Sequence, residues 1–255
     1  MKRWLIFGGG AVGLVALAIV ALVVIQMLRS DDPNLATEAP AIKTPVPGAT
    51  STASTSGASS ATGATGSDPS SSDASLPAGV HQFVIDPSQS SAKYVVEETL
   101  RGLDSNAVGT TSAISGSIYL TEAGLYTDLP SKFTVQLSTL KSDESLRDNF
   151  IKQNTLQTSK YPDAVFTVEG VDGFPASYTA NQQVQWTLNG TLSVHGVDKS
   201  VTWTVLARQA GDTLTATADT DIKFTDFGMN PPNVQIAKAK DAIHLQIVMV
   251  AKEPA

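Results

Sequence analysis

The residues of this 255-residue chain with the most chemical potential are His81, His195 and His244, and the polar knot around the second of them in NGTLSVHGVDKSVTW, residues 189–203. Ser193 stands two positions before His195, and Asp198 and Lys199 follow it. A serine, a histidine and a carboxylate are the parts of an acyl-transfer triad. The context speaks against one: Ser193 and His195 share a face of an alternating strand, where serine and threonine are ordinary residents, and GTLSVHG is not a nucleophile elbow. The stretch reads instead as two alternating half-strands joined by a corner, with Gly196 allowing the turn and Asp198 with Lys199 keeping it in water. His195 is then a polar turn-edge residue. A zinc site would have to gather all three histidines from distant strands, with no close ligand spacing and no HExxH. The chain has no cysteine, which removes disulfides, thiolate catalysis and lipobox lipidation. The GGG at residues 8–10 has no strand before it and is not a phosphate loop. No catalytic residue and no metal ligand are expected, and no cofactor is required.

The elements that surround these residues fall into unlike segments. Residues 1–3 carry Lys2 and Arg3, and residues 4–28 carry no charge and a single polar side chain, Gln26. As a helix that segment would be about 37 Å long, enough to cross an apolar layer of about 30 Å. The positive start favours a single-pass anchor with a cytoplasmic N-terminus and the rest of the chain extracytoplasmic. A cleaved signal peptide shares the basic start, but the apolar run exceeds the usual length and no small-x-small site follows it closely. Residues 29–79 are dominated by Ala, Ser, Thr, Gly and Pro, a composition that cannot bury enough apolar surface to order itself. They are expected to be a disordered tether with a reach on the order of 40 Å. Residues 80–255 form one domain. The net charge of −7 and the absence of a basic cluster in that domain exclude a nucleic-acid groove.

Within 80–255 nearly every segment alternates with period two, from GVHQFVID and SAKYVVEETL to QQVQWTLNGTLSV, SVTWTVLARQA and DAIHLQIVMVAK. Many short strands with few helices predict an all-β antiparallel barrel or sandwich. In KSDESLRDNFIKQNTLQTSKYP the period changes: Leu146 and Phe150 share one face of a short helix over the barrel mouth, with Ser142 or Asp143 as its cap. Gly190 lies on the apolar face of its strand and is either a bend or room for a guest. Arg147 and Asp148 are a local ion pair or an orienting pair for lid or ligand head.

Four ordered segments carry a resemblance: SKFTVQLSTLKSDESLRDNFI, SKYPDAVFTVEG, LNGTLSVHGVDKSVTWTV and DIKFTDFGMNPP. Together, over residues 81–251, they resemble the YceI-like family of polyisoprenoid-binding, lipocalin-like proteins. The matching positions are Leu146, Arg147 and Asp148; Lys160, Tyr161 and Pro162; Gly190, Thr191, Leu192, Gly196, Val197 and Lys199; and Asp226, Phe227, Gly228 and Met229. The resemblance implies an extended eight-stranded antiparallel barrel with a small helical element, a long apolar cavity for an amphipathic chain, a secreted or periplasmic location in bacteria, and no assigned reaction. One departure stands out: many relatives carry a histidine where this chain has Glu97 and Glu98, an acidic mouth that disfavours a phosphate head.

Strand phase and resemblance together give an expected cavity wall of Phe133, Leu137, Phe150, Phe166, Trp186, Leu188, Leu192, Trp203, Phe224 and Phe227, with Arg147, Asp148, Lys160 and Tyr161 at its rim. The expected function is non-catalytic binding of a polyisoprenoid or prenyl-quinone-type lipid at the bacterial cell envelope, the membrane being engaged through the N-terminal helix. A homodimer is a possible further assembly. The competing reading is an envelope structural or interaction module whose barrel is filled by its own aromatics.

Overall fold

A strand with one apolar face must bury that face and pair both edges, and a closed antiparallel barrel does both. The computed structural model describes residues 34–42, 76–177 and 179–254. Its strands are β1 (His81–Ile85), β2 (Ser91–Leu100), β3 (Leu103–Thr111), β4 (Ile114–Thr121), β5 (Gly124–Leu125), β6 (Lys132–Gln136) and β7 (Asp163–Asp172). They continue with β8 (Val184–Val194), β9 (Val197–Ala210), β10 (Thr213–Lys223), β11 (Asn233–Val234), β12 (Ala237–Ala239) and β13 (Ala242–Lys252). The pairing order β1-β4-β6-β7-β8-β9-β10-β13 returns to β1 through Val84↔Lys252 and Ile85↔Ala251, closing the eight-stranded antiparallel barrel. Past the end of β1, β2 takes over the same edge of β13, from Val248↔Ser91 to His244↔Val95, and pairs onward with β3 and β12.

The β8–β9 hairpin shows how sequence becomes wall. Trp186, Leu188, Leu192 and Val194 alternate inward on β8, opposite Trp203, Val205 and Ala207 on β9. Val194 pairs with Val197, so His195 and Gly196 are the two central residues of the turn, with φ of 54° and 75°. Positive φ at both positions is the mirror-image turn whose twist matches a hairpin. Gly190 answers to crowding: a Cβ there would lie 2.1 Å from the Thr167 carbonyl oxygen, beside a register shift between Val168 and Gly170. The bend reading of that glycine holds, since no space for a guest exists at the position.

The helix α1 (Ser145–Phe150) is followed by one wider turn, Ile151–Thr155. Its cap is Glu144, whose carboxylate accepts from Leu146 N–H at 3.1 Å, and not Ser142 or Asp143. Ser142 is engaged elsewhere, giving its N–H (2.9 Å) and hydroxyl (2.7 Å) to Asp148.

The expectation of disorder fails for part of the linker. Residues 34–42 lie along the outer face of the barrel and are read almost wholly through their backbone. Gln246 accepts from Ala36 N–H at 2.8 Å and donates to its carbonyl at 2.9 Å. Thr217 and Thr215 donate to the carbonyls of Glu38 (2.8 Å) and Pro40 (2.7 Å). Gln183 accepts from Ala39 N–H at 3.0 Å, Arg208 donates to its carbonyl at 3.3 Å, and Lys93 donates to the Asn34 carbonyl. Composition argues against a segment folding alone; it does not prevent docking where polar side chains supply every partner. Linker positions 29–33 and 43–75, and the apolar segment 4–28, lie outside the described residues. Among the described residues no helix is long and apolar enough to cross a membrane.

Candidate functional site

The inward faces do not meet across the barrel axis. They enclose a cavity of about 850 Å³ with an almost wholly apolar wall. Phe133, Leu137, Phe150, Phe166, Trp186, Leu188, Leu192, Trp203 and Phe224 all line it. Phe227 does not: the 3-10 turn Thr225–Phe227 takes the chain out of strand alternation and buries that ring to 1% exposure away from the wall. The filled-barrel module is set aside by the same cavity, which lies at the upper end of the usual range for small-molecule pockets.

Of the four residues expected at the rim, Arg147 alone lines the cavity. Asp148 turns back to Ser142. Tyr161 stacks on His195 with ring centroids 4.6 Å apart, and the Lys160 ammonium sits 4.9 Å from the Tyr161 ring centroid. Tyr161 and Lys160 thus accompany the β8–β9 corner and not the cavity. The Arg147–Asp148 pair is absent because neighbours on a helix do not face each other; Arg147 instead bridges Glu98 at 2.9 Å and Asp143 at 2.5 Å.

Strand β2 contributes what phase reading missed. Tyr94, Val96 and Glu98 line the cavity, but in SAKYVVEETL the adjacent Val95 and Val96 blur the alternation. Burial pushes the Tyr94 hydroxyl well above its ordinary pKa, with the Arg147 charge working in the opposite direction. Burial also opposes the charge on Arg147, but Glu98 and Asp143 outweigh it and hold the guanidinium above its usual value. Each of the two glutamates expected to make the mouth acidic has a cationic partner: Glu98 is paired with Arg147, and Glu97 with Lys240. The cavity reaches the surface among exposed apolar side chains of its own lining, Leu146, Val234 and Ile236.

The histidines are kept apart. His81 contacts Glu253 at 2.9 Å, and His244 contacts Asp221 at 2.9 Å and Asp219 at 3.3 Å. His195 Nδ1 lies 3.3 Å from the Phe227 carbonyl oxygen. The Ser193 hydroxyl is taken by Asp198, leaving no serine–histidine couple. No group of three or more potential metal ligands occurs among the described residues.

A closed barrel around an apolar space, with α1 at its mouth and no assembled catalytic group, can be compared with known proteins. A family model of the YceI-like domain matches residues 83–251. The chain belongs to the YceI-like family. The YceI-like barrel is a non-catalytic, ligand-binding one. Among solved structures, that of BcnA from Burkholderia cenocepacia is 17% identical, with a TM-score of 0.54 over 66% of this chain and 99% of that chain. A polyisoprenoid binding domain from Saccharophagus degradans, implicated in plant cell wall breakdown, is 15% identical with a TM-score of 0.54, covering 68% of this chain and 98% of that chain. At these identities the likeness is one of fold. No curated protein matches this chain.

Proposed function

We propose that the protein binds a polyisoprenoid or prenyl-quinone-type lipid inside its barrel at the bacterial cell envelope, held to the membrane by residues 4–28 with its N-terminus in the cytoplasm and its barrel outside. The observation that carries this reading is the apolar cavity of about 850 Å³ that opens between Leu146, Val234 and Ile236. An apolar chain entering it gains about 25 cal/mol for each Å² of apolar surface removed from water, less the cost of ordering the chain. The polyisoprenoid binding domain from Saccharophagus degradans, which shares the fold, supports the choice of lipid. The pairing of Glu98 with Arg147 and of Glu97 with Lys240 lessens the repulsion these two carboxylates would exert on an anionic head.

Titration of residues 29–255 with a prenyl quinone tests the reading, because the tryptophans left in that fragment are the two on the cavity wall, Trp186 and Trp203. Saturable quenching of their fluorescence is the expected result. Fluorescence that never saturates, or does not change, contradicts it.

A further inference from the structure

Trp186 on β8 and Trp203 on β9 carry a feature that a wall built for hydrocarbon alone would lack. The register sets Trp186 opposite Val205 and Leu188 opposite Trp203, so the two indoles are diagonal neighbours on one patch of the cavity wall. They are 5% and 6% exposed, and among the described residues the Nε1–H of each has no hydrogen-bond partner. An indole N–H only donates, and buried tryptophans usually find an acceptor. Phenylalanine would supply an aromatic wall with no polar group to satisfy. We propose that this pair is a polar subsite in the wall of the barrel, its N–H groups covered until the indoles turn toward an occupant, and that the ligand is an apolar chain bearing carbonyl or ether oxygens, as opposed to a plain hydrocarbon. The proposal rests on the lipid-binding reading and narrows it.

The test compares a prenyl quinone with squalene, a hydrocarbon of similar character, on the full chain in lipid nanodiscs. In native protein the indole N–H NMR signals of Trp186 and Trp203 move downfield with quinone and stay in place with squalene. In the Trp186→Phe/Trp203→Phe double variant the quinone affinity falls about tenfold, the size expected for lost hydrogen bonds, while squalene affinity is unchanged and reports an intact barrel. Equal loss for both ligands, or indole signals that ignore the quinone, overturns the subsite. Binding of neither ligand to native protein overturns the lipid-binding reading and the subsite with it.

A separate observation concerns the docked segment 34–42. Thr215, Thr217 and Gln246 face outward yet are 2%, 0% and 2% exposed, because that segment covers them. We infer that the segment is a strap that shortens the tether, a consequence that rests on residues 4–28 being the anchor. With residue 34 fixed on the barrel, the stretch from residue 28 can reach at most about 20 Å even fully extended, against a reach on the order of 40 Å for the linker as a free chain. The barrel is then held close to the bilayer.

Ala36→Pro/Ala39→Pro removes the two strap N–H donors and leaves the barrel sequence untouched. In the full chain with Trp4→Phe, reconstituted in vesicles with dansyl headgroups, energy transfer from Trp186 and Trp203 is expected to be strong, and to fall at least twofold in the proline variant. Equal transfer in both, with the chain floating with the vesicles, overturns the strap. A chain that does not float with vesicles overturns the anchor, and with it the shortened tether.

Discussion

Arg147 Nη2 lies 2.9 Å from Glu98 Oε1, joining α1 to β2 at the wall of the cavity, and the two side chains are only 15% and 7% exposed. Removing one partner of such a pair strands the other charge, which costs more than the pair contributes as a unit. Arg147→Met is expected to lower unfolding free energy by about 3 kcal/mol, and Arg147→Met/Glu98→Leu to recover most of the loss. Urea unfolding of the two variants beside the native chain checks both outcomes. A double variant as unstable as the single one would mean that the pair does not act as a unit.

Tyr94 sets an alkaline limit. Because burial raises its pKa in the folded state, folded and unfolded states bind the same number of protons there below about pH 10. As pH rises above that value the unfolded chain ionises first, and stability falls. Tyr94→Phe is expected to flatten this alkaline limb, read as melting temperature against pH between about 9 and 11. An unchanged slope contradicts the buried placement of the hydroxyl.

Gly190→Ala pushes a methyl group against the Thr167 carbonyl oxygen, a backbone atom that cannot swing aside. A destabilisation of about 1–3 kcal/mol is expected from overpacking, with hydrogen exchange accelerated first on β7 and β8. A neutral substitution would show that the two strands separate more easily than their register implies.

His195→Asn is expected to leave fold and quinone uptake intact, since asparagine tolerates the positive φ of this turn position. Trp203→Ala is expected to lose about 3 kcal/mol and to weaken uptake. Thermal melts with parallel quinone titrations separate the two, and equal losses would reverse the assignment of corner and wall.

The β8–β9 hairpin was legible in the sequence because one parity is apolar, the other is Thr, Asn and Ser, and a glycine marks the corner. Its neighbours were less so. In β2 two adjacent valines hid the phase that brings Tyr94 and Glu98 inward. Asp148, Lys160 and Tyr161 were assigned to the rim by motif, but contacts with Ser142 and His195 settle where they point. Phe227 left the wall because one tight turn breaks strand alternation. The docked segment 34–42 had no signature at all: all of its partners but Lys93 are more than a hundred residues away in sequence, and they grip main-chain groups, which every residue type carries.

The central claim is that the barrel carries a lipid. Native mass spectrometry of residues 29–255, purified without detergent and then extracted with organic solvent, tests it most directly. The expected result is a protein peak heavier than the bare chain, which collapses to the chain mass on extraction and releases an oxygen-bearing prenyl lipid. A bare-chain mass in repeated preparations, with no uptake of added prenyl quinone, would contradict it.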